Sequence, residues 1–162
     1  MLLAAIEQWG VDGALDRCNG MFALALWDRR DRTLELVRDR AGKKPLYYGW
    51  VGRALAFASE LKALVLCPDV ARDIDPVAVA DHLGFLWTAG EATMLKSVRK
   101  LRPGTALTLE GGRVTVQSYW QPPLGKPEPE RGVRAPASPD GLAALIDTVV
   151  GEQMVADVAV GA

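Results

Sequence analysis

Cys18, Cys67 and His82 are the side chains of this 162-residue sequence best suited to nucleophilic or general-base chemistry. A Ser-His-Asp arrangement would have to use His82, the only histidine, but that residue lies in a predicted helix, which favours a surface or core-edge histidine. A nucleophilic cysteine needs an adjacent base or a helix terminus. Cys18 falls in a predicted turn and Cys67 precedes a proline, so both are predicted to be small packing residues.

Phosphate-loop and metal-site patterns are missing from the sequence. Gly111-Gly112 is predicted to be a hairpin turn, and Gly161-Ala162 fits no phosphate-loop pattern. A metal site would need clustered His, Cys or carboxylate side chains, and two cysteines provide neither a zinc signature nor a disulfide framework. We therefore expect no catalytic, cofactor-binding or metal-binding residue in this chain.

Residues 38–48 form the most informative stretch, because charged side chains crowd the predicted end of a strand there. Gly42 permits a tight turn, and Pro45 fixes the entry into the next strand. Arg38 and Asp39 are predicted to form a partly buried ion pair that holds the turn.

A second informative stretch, residues 57–64, indicates a strand that runs into a capped helix. Ser59 is predicted to cap a helix over residues 60–66. The helix dipole favours the negative charge of Glu60 in the first turn.

The elements that must position these stretches begin with a predicted helix over residues 1–10, where Gly10 is placed to end it. Strands separated by short turns follow, and they are expected to form one antiparallel meander covered by helices. The four predicted strands are residues 21–28, 33–39, 45–50 and 54–59.

A helix and a hairpin are predicted in the next sixty residues. Asp75-Pro76 is a strong helix start, because Pro suits the first helical position and Asp accepts from unpaired amides. Residues 105–109 and 113–119 are predicted to pair across a Gly-Gly turn. The residues of the helix expected to face inward are Val79, Leu83 and Leu86.

The composition changes after residue 120. Six of the ten prolines lie in residues 121–139, which predicts an extended linker. Ser138-Pro139 then opens a helix whose apolar side is expected to be buried, and residues 158–162 have the pattern of a strand in a covered parallel sheet.

Composition restricts the class of protein. Hydrophobic residues make up 49% and charged residues 24%, as in a soluble globular protein, and the net charge is −1. That balance provides no electrostatic basis for a nucleic-acid or membrane partner. Apolar stretches fall short of the ~20 residues of a membrane helix, and no signal peptide is visible, so a cytoplasmic protein is expected.

Residues 38–48 and 57–64, in this order, resemble the class II glutamine amidotransferase domain of glutamine-dependent asparagine synthetases. Residues 19–28, 100–104 and 119–120 agree with that resemblance. Residues 153–162 are similar to the strand that enters the pyrophosphatase loop of the synthetase domain.

The resemblance implies an α+β fold. Residues 1–120 would be the C-terminal part of an N-terminal-nucleophile-type αββα amidotransferase domain, in which an antiparallel sheet packs with helices. Residues 121–138 would be the linker, and residues 139–162 the first helix and strand of an α/β ATP-pyrophosphatase domain. In the family, an amino-terminal cysteine hydrolyses glutamine, and ATP with Mg²⁺ activates aspartate as an acyl-adenylate that ammonia attacks after passing through a tunnel. Glutamine, aspartate and ATP are thus the implied partners, with homodimer formation left open.

The sequence departs from the family pattern at the reactive positions. The family's nucleophile directly follows the initiator Met, whereas Leu2 stands here, and the glutamine-holding and ATP-phosphate elements have no counterpart. We therefore expect an internal fragment that is inactive alone and binds neither ATP nor Mg²⁺. Residues that match family motifs are expected to be scaffold positions close to the ammonia route: Arg38, Asp39, Gly42, Lys44, Pro45, Ser59 and Glu60.

Two other interpretations remain open. The same architecture serves other amidations, as in β-lactam synthetases or sugar-modifying amidotransferases. A degenerate, non-catalytic binding or regulatory module is the alternative from a different class of function.

Overall fold

The computed structural model describes residues 2–122, 138–156 and 158, and the chain divides into two compact units, Met1–Gln121 and Pro122–Ala162. The first unit mixes helices with antiparallel sheets, which confirms the predicted α+β class. None of the described helices is long and apolar enough to cross a membrane. The described elements are α1 (Leu2–Arg17), β1 (Ala23–Asp28), β2 (Thr33–Arg38), β3 (Tyr47–Val51), β4 (Ala54–Ala58), α2 (Leu61–Val65), α3 (Pro76–Phe85), β5 (Val98–Lys100), β6 (Thr105–Glu110), β7 (Arg113–Ser118) and α4 (Pro139–Gln153).

The strands form two antiparallel sheets, so the prediction of a single meander is wrong. One sheet has the order β1-β2-β6-β7, and the other has the order β4-β3-β5. The predicted hairpins β1-β2, β3-β4 and β6-β7 are confirmed. However, β2 pairs with β6 and β3 pairs with β5, strands that lie much later in the chain. Short-range patterns identify the hairpins but not the sheet that each hairpin joins.

Strand β2 is buried on both faces and marks the centre of the first unit. Leu36 and Val37 are both 0% exposed, and successive side chains of a strand point to opposite faces. Leu36 packs with Leu107 against residues next to the second sheet, whereas Val37 packs against Leu15 of α1. The first sheet is therefore covered by α1 on one face and by the second sheet on the other.

Gly10 interrupts α1 without ending it, contrary to prediction. Its φ of 70° and ψ of 175° are not helical, and a second helical segment continues to Arg17. The buried residues of α1, Ala14 and Leu15, belong to this second segment. Packing on the sheet thus stabilises a helix that its own sequence pattern did not indicate.

The helix starts differ in how well the sequence predicts them. Asp75 caps α3 as predicted, because its carboxylate accepts from the main-chain N–H of Val77 and Ala78. Ser59 does not cap α2: Glu60 is the N-cap residue and makes no side-chain cap hydrogen bond.

The inward face predicted for α3 is wrong. Leu83 and Leu86 are 77% and 82% exposed, Val79 is half-buried, and Ala78 is the buried residue. Helix α3 makes few contacts with the other described elements, so its larger apolar side chains stay exposed and only the small Ala78 is buried.

Helix α4 belongs to the second unit and begins as predicted, since the Ser138 hydroxyl accepts from Gly141 N–H. Its apolar residues were expected to be buried, but Leu142 and Ile146 are 50% and 53% exposed, and no described residue of the second unit covers them. Most of the predicted linker, and all of the predicted strand 158–162 except Val158, lie outside the described residues.

Candidate functional site

Arg38 organises the turn between β2 and β3 through three main-chain oxygens. Its guanidinium donates to the carbonyls of Gly42 (2.7 Å), Lys44 (2.8 Å) and Leu101 (2.7 Å). Three fixed donors on one rigid plane hold the turn closed and attach it to the segment that follows β5.

Asp39 completes the turn from the opposite side. Its side chain is almost fully buried, with the residue 1% exposed, and its carboxylate accepts from Lys43 N–H and Lys44 N–H, both at 2.9 Å. The predicted ion pair with Arg38 is therefore wrong, since each side chain bonds to main-chain groups instead. Two amide dipoles satisfy the buried carboxylate, which forms no ion pair within the described residues.

Gly42 is required where this turn meets the neighbouring segment. Its φ is +66°, and a Cβ atom would lie 2.6 Å from Cγ of Pro103 and 3.2 Å from Cζ of Arg38. A larger residue would combine backbone strain with a clash against Pro103 and the Arg38 guanidinium.

The segment around Gly104 supports the turn from behind. Leu101 N–H donates to the carbonyl of Leu46 at 2.8 Å, and Gly104 N–H donates to the carbonyl of Asp39 at 3.0 Å. The Lys100 ammonium donates to the carbonyl and hydroxyl of Thr88, and burial lowers its pKa, with a smaller contribution from Arg38. The sequence associated residues 100–104 with the family pattern, and the structure shows their contact with the turn.

Tyr119, which the sequence associated with the family pattern, contacts the turn in a way that the sequence did not predict. Its hydroxyl donates to the carbonyl of Arg38 at 2.8 Å across 81 positions of sequence. Burial raises the pKa of Tyr119 to about 12, so the phenol stays protonated as a donor at neutral pH. No local pattern signals a contact of this sequence separation.

The turn forms one wall of an open pocket of ≈ 370 Å³. Lys44, Pro45 and Ser59 are therefore brought together, as the motif residues nearest the pocket, while Arg38, Asp39 and Gly42 support the wall from within the turn. The sequence associated residues 19–28 with the family pattern but predicted only a strand there, so it did not place the three apolar residues of β1 and its approach at a pocket. The pocket is lined by Met21, Phe22, Ala23, Lys44, Pro45 and Ser59.

Glu60 is not part of this pocket lining. It pairs with Lys62, with 2.6 Å between carboxylate and ammonium, and both side chains are exposed. The hydrogen bond that the Lys62 ammonium donates to Glu60 raises the pKa of Lys62. An ion pair this exposed adds little to stability.

The residues suited to nucleophilic chemistry are not in the pocket lining. Cys18, Cys67 and His82 lie after α1, after α2 and on α3. Neither thiol hydrogen-bonds to a basic side chain within the described residues. The described residues also contain no group of His, Cys, Asp or Glu that could hold a metal ion. The residues that line the pocket supply one ammonium, one hydroxyl and otherwise apolar side chains, and they include no His or carboxylate that could act as a general base.

Comparison with known proteins links this arrangement to an enzyme family. A family model described as a glutamine amidotransferase domain matches residues 1–120. Glutamine-hydrolysing asparagine synthetase 3 of Bacillus subtilis is 32% identical over 121 residues, which are 74% of this chain and 20% of that protein. A putative glutamine-hydrolysing asparagine synthetase of Mycobacterium bovis is 30% identical over 166 residues, 99% of this chain and 25% of that protein. The chain thus spans about a quarter or less of the length of these relatives.

Proposed function

The chain belongs to the glutamine amidotransferase domain family. From that premise we propose that it forms part of a glutamine-hydrolysing asparagine synthetase. Such an enzyme amidates aspartate through an aspartyl-adenylate, with ATP as the activating nucleotide and ammonia from glutamine as the nitrogen source. The names of the relatives support this reaction, and the match to a relative over 99% of this chain is the observation that carries it.

The turn 38–45 acts in this proposal as framework for the ammonia route. The clamp formed by Arg38 and Asp39 holds Lys44 and Pro45 in the pocket wall. Ammonia reacts with an acyl-adenylate only as the neutral molecule. A wall of apolar side chains with one cationic residue and no carboxylate disfavours its protonation to ammonium, which supports a place for this pocket beside the route.

The reactive centres are proposed to be supplied by other residues than those described. Within the described residues neither thiol hydrogen-bonds to a basic side chain, and the donor set does not fit Mg²⁺, because no group of three or more His, Cys, Asp or Glu side chains comes together there. On this proposal the chain alone neither hydrolyses glutamine nor forms asparagine.

A chimera tests the proposed function. In the Bacillus subtilis relative, the matched 121-residue stretch is replaced by the corresponding stretch of this chain, and asparagine formation is measured with glutamine and, separately, with ammonium. We expect both nitrogen sources to support synthesis. A chimera that uses ammonium but not glutamine would contradict the proposal, and the ammonium reaction shows that the chimera is folded.

Substitutions in the chimera test the role of the turn. Arg38→Ala should reduce glutamine-dependent synthesis at least tenfold, because the three hydrogen bonds by which Arg38 holds the turn are lost. Ammonium-dependent synthesis should change less than twofold. Arg53→Ala, at an exposed turn position, is the matched control and should leave both reactions unchanged. If Arg38→Ala reduced both reactions equally, the turn would not be part of the ammonia route.

A further inference from the structure

We infer that Tyr119 is a positioning residue for the pocket, because it fastens the end of the first unit to the turn that carries Lys44 in the pocket wall. Tyr119 follows β7 directly, and the first unit ends two residues later at Gln121. The contacts that support this inference form two separate routes from Tyr119 to the wall.

The first route runs through the tyrosine hydroxyl. It donates to the carbonyl of Arg38 at 2.8 Å, and the guanidinium of the same arginine binds the carbonyls of Gly42 and Lys44. A shift of the phenol therefore acts on the residue that closes the turn.

The second route runs through the main chain. The N–H groups of Tyr119 and Trp120 donate to the carbonyl of Gly104 at 3.0 and 3.2 Å, and Gly104 N–H donates to the carbonyl of Asp39. The Asp39 carboxylate in turn accepts from Lys44 N–H. Tyr119 thus contacts Arg38 directly through its side chain, and its backbone is linked to Asp39 through Gly104.

The approach at Gly104 is too close for any other residue. Its φ is +63°, and a Cβ atom would lie 2.5 Å from the carbonyl oxygen of Trp120. The phenol of Tyr119 also packs against the core cluster of Leu15 and Val37, which limits its movement. These contacts make the end of the first unit and the pocket wall one connected structure.

The position of Lys44 in the pocket wall therefore depends on the position of residues 119–120 at the end of the first unit. A displacement of residues 119–120 reaches Lys44 through these hydrogen bonds and the covalent bonds of Gly104, Asp39 and Arg38 that join them. The coupling itself stands on the geometry, whereas its meaning for ammonia transfer rests on the proposed function.

Amide hydrogen exchange measured by NMR on the full chain tests the coupling. Tyr119→Phe removes only the hydroxyl, and loss of one hydrogen bond of ordinary strength should speed exchange about three- to tenfold at Gly42, Lys43 and Lys44. Amides of the β3-β4 hairpin should change less than twofold. Tyr47→Phe is the matched control, since Tyr47 is also half-buried and its hydroxyl has no hydrogen bond within the described residues, and it should leave the turn amides unchanged.

A double-substitution cycle separates coupling from general destabilisation. In an Asp39→Asn background, in which the carboxylate acceptor of Lys43 N–H and Lys44 N–H is already weakened, Tyr119→Phe should change their exchange less than twofold. An equal change at all amides, no change at the turn, or full additivity with Asp39→Asn would overturn the inference. Because no glutamine chemistry enters this experiment, such a result would leave the chimera experiment as the separate test of the proposed function.

Discussion

At the scale of single residues, the turn 38–45 shows how two charged side chains are held without pairing with each other. The Arg38 guanidinium donates hydrogen bonds to main-chain carbonyls, and the Asp39 carboxylate accepts them from main-chain N–H groups. Each charge therefore finds several peptide dipoles of the opposite sign at hydrogen-bond distance. The arrangement fixes the backbone of the turn, which an ion pair between two flexible side chains would not do.

Asp39→Ala should lower the free energy of unfolding by about 1–3 kcal/mol, because it leaves two part-buried N–H groups without their acceptor. Asp69→Ala, at an exposed aspartate, is the control and should change it by less than about 0.5 kcal/mol. Urea unfolding followed by circular dichroism measures both. Equal effects of the two substitutions would show that the Asp39 contacts carry no stability.

The sequence predicted which residues of this site are unusual but not what they contact. Charges beside a glycine and a proline marked residues 38–45 as a constrained turn. The partners Leu101 and Tyr119 lie 63 and 81 positions from Arg38 in the sequence. Local hydrophobic periodicity does not predict contacts between residues so far apart in the chain. Apolar residues of the pocket such as Met21 were indistinguishable from strand residues that face a core.

At the scale of elements, helix α1 lies over a carboxylate that the sheet presents to it. Glu35 of β2 is half-buried, and burial raises its pKa, with a further contribution from the charge of Asp12 on α1. Its cross-strand neighbours Leu26 and Thr108 carry no positive charge that would lower the pKa of Glu35 again. The contact between α1 and the first sheet is therefore weakened by ionisation of Glu35.

Glu35→Gln should raise the urea midpoint at pH 7 and leave it unchanged at pH 4. A raised pKa in the folded state means that folding favours the protonated carboxyl. The associated stability is present below the unfolded-state pKa and is lost as the pH rises through the folded-state pKa, so removal of the charge helps only at the higher pH. Glu7→Gln on the exposed side of α1 is the control. A midpoint that falls at pH 7 would contradict the assignment.

Helix α3 ends with a leucine in an unfavourable conformation. Leu86 has φ 61° and ψ 16°, in the left-handed region that glycine adopts without strain, and its side chain is 82% exposed. Leu86→Gly should therefore increase the free energy of unfolding by about 0.5–1 kcal/mol.

Leu83→Gly is the matched control for that substitution, because this leucine is 77% exposed but lies inside the helix. It should decrease the free energy of unfolding by about 1 kcal/mol. Thermal unfolding by calorimetry measures both variants. If both substitutions decreased the free energy of unfolding, the conformation of Leu86 would not be strained.

The elements themselves were largely predictable, and their assembly was not. Alternating strands around short polar turns indicated three hairpins, and Asp75-Pro76 indicated the start of α3, as observed. The pairing of β2 with β6 and the continuation of α1 beyond Gly10 depend on tertiary packing, which local propensity does not encode.

At the scale of the whole molecule, the chain contains one amidotransferase-type unit and a second unit with helix α4. The family match covers residues 1–120, and the first unit spans Met1–Gln121. The assignment of residues 139–162 to an ATP-pyrophosphatase domain stays a prediction. What the described residues provide is a hydrogen-bonded turn and a pocket wall, and neither cysteine lies in the pocket lining.

Glutamine hydrolysis by the purified chain is the most direct measurement of this account. The chain is incubated with glutamine, and glutamate release is followed by NMR for the natural sequence and for Cys18→Ser and Cys67→Ser. The account predicts no release above a protein-free control in any of the three. Release of glutamate by the natural sequence that disappears in either cysteine variant would contradict it, because the chain would then supply its own nucleophile.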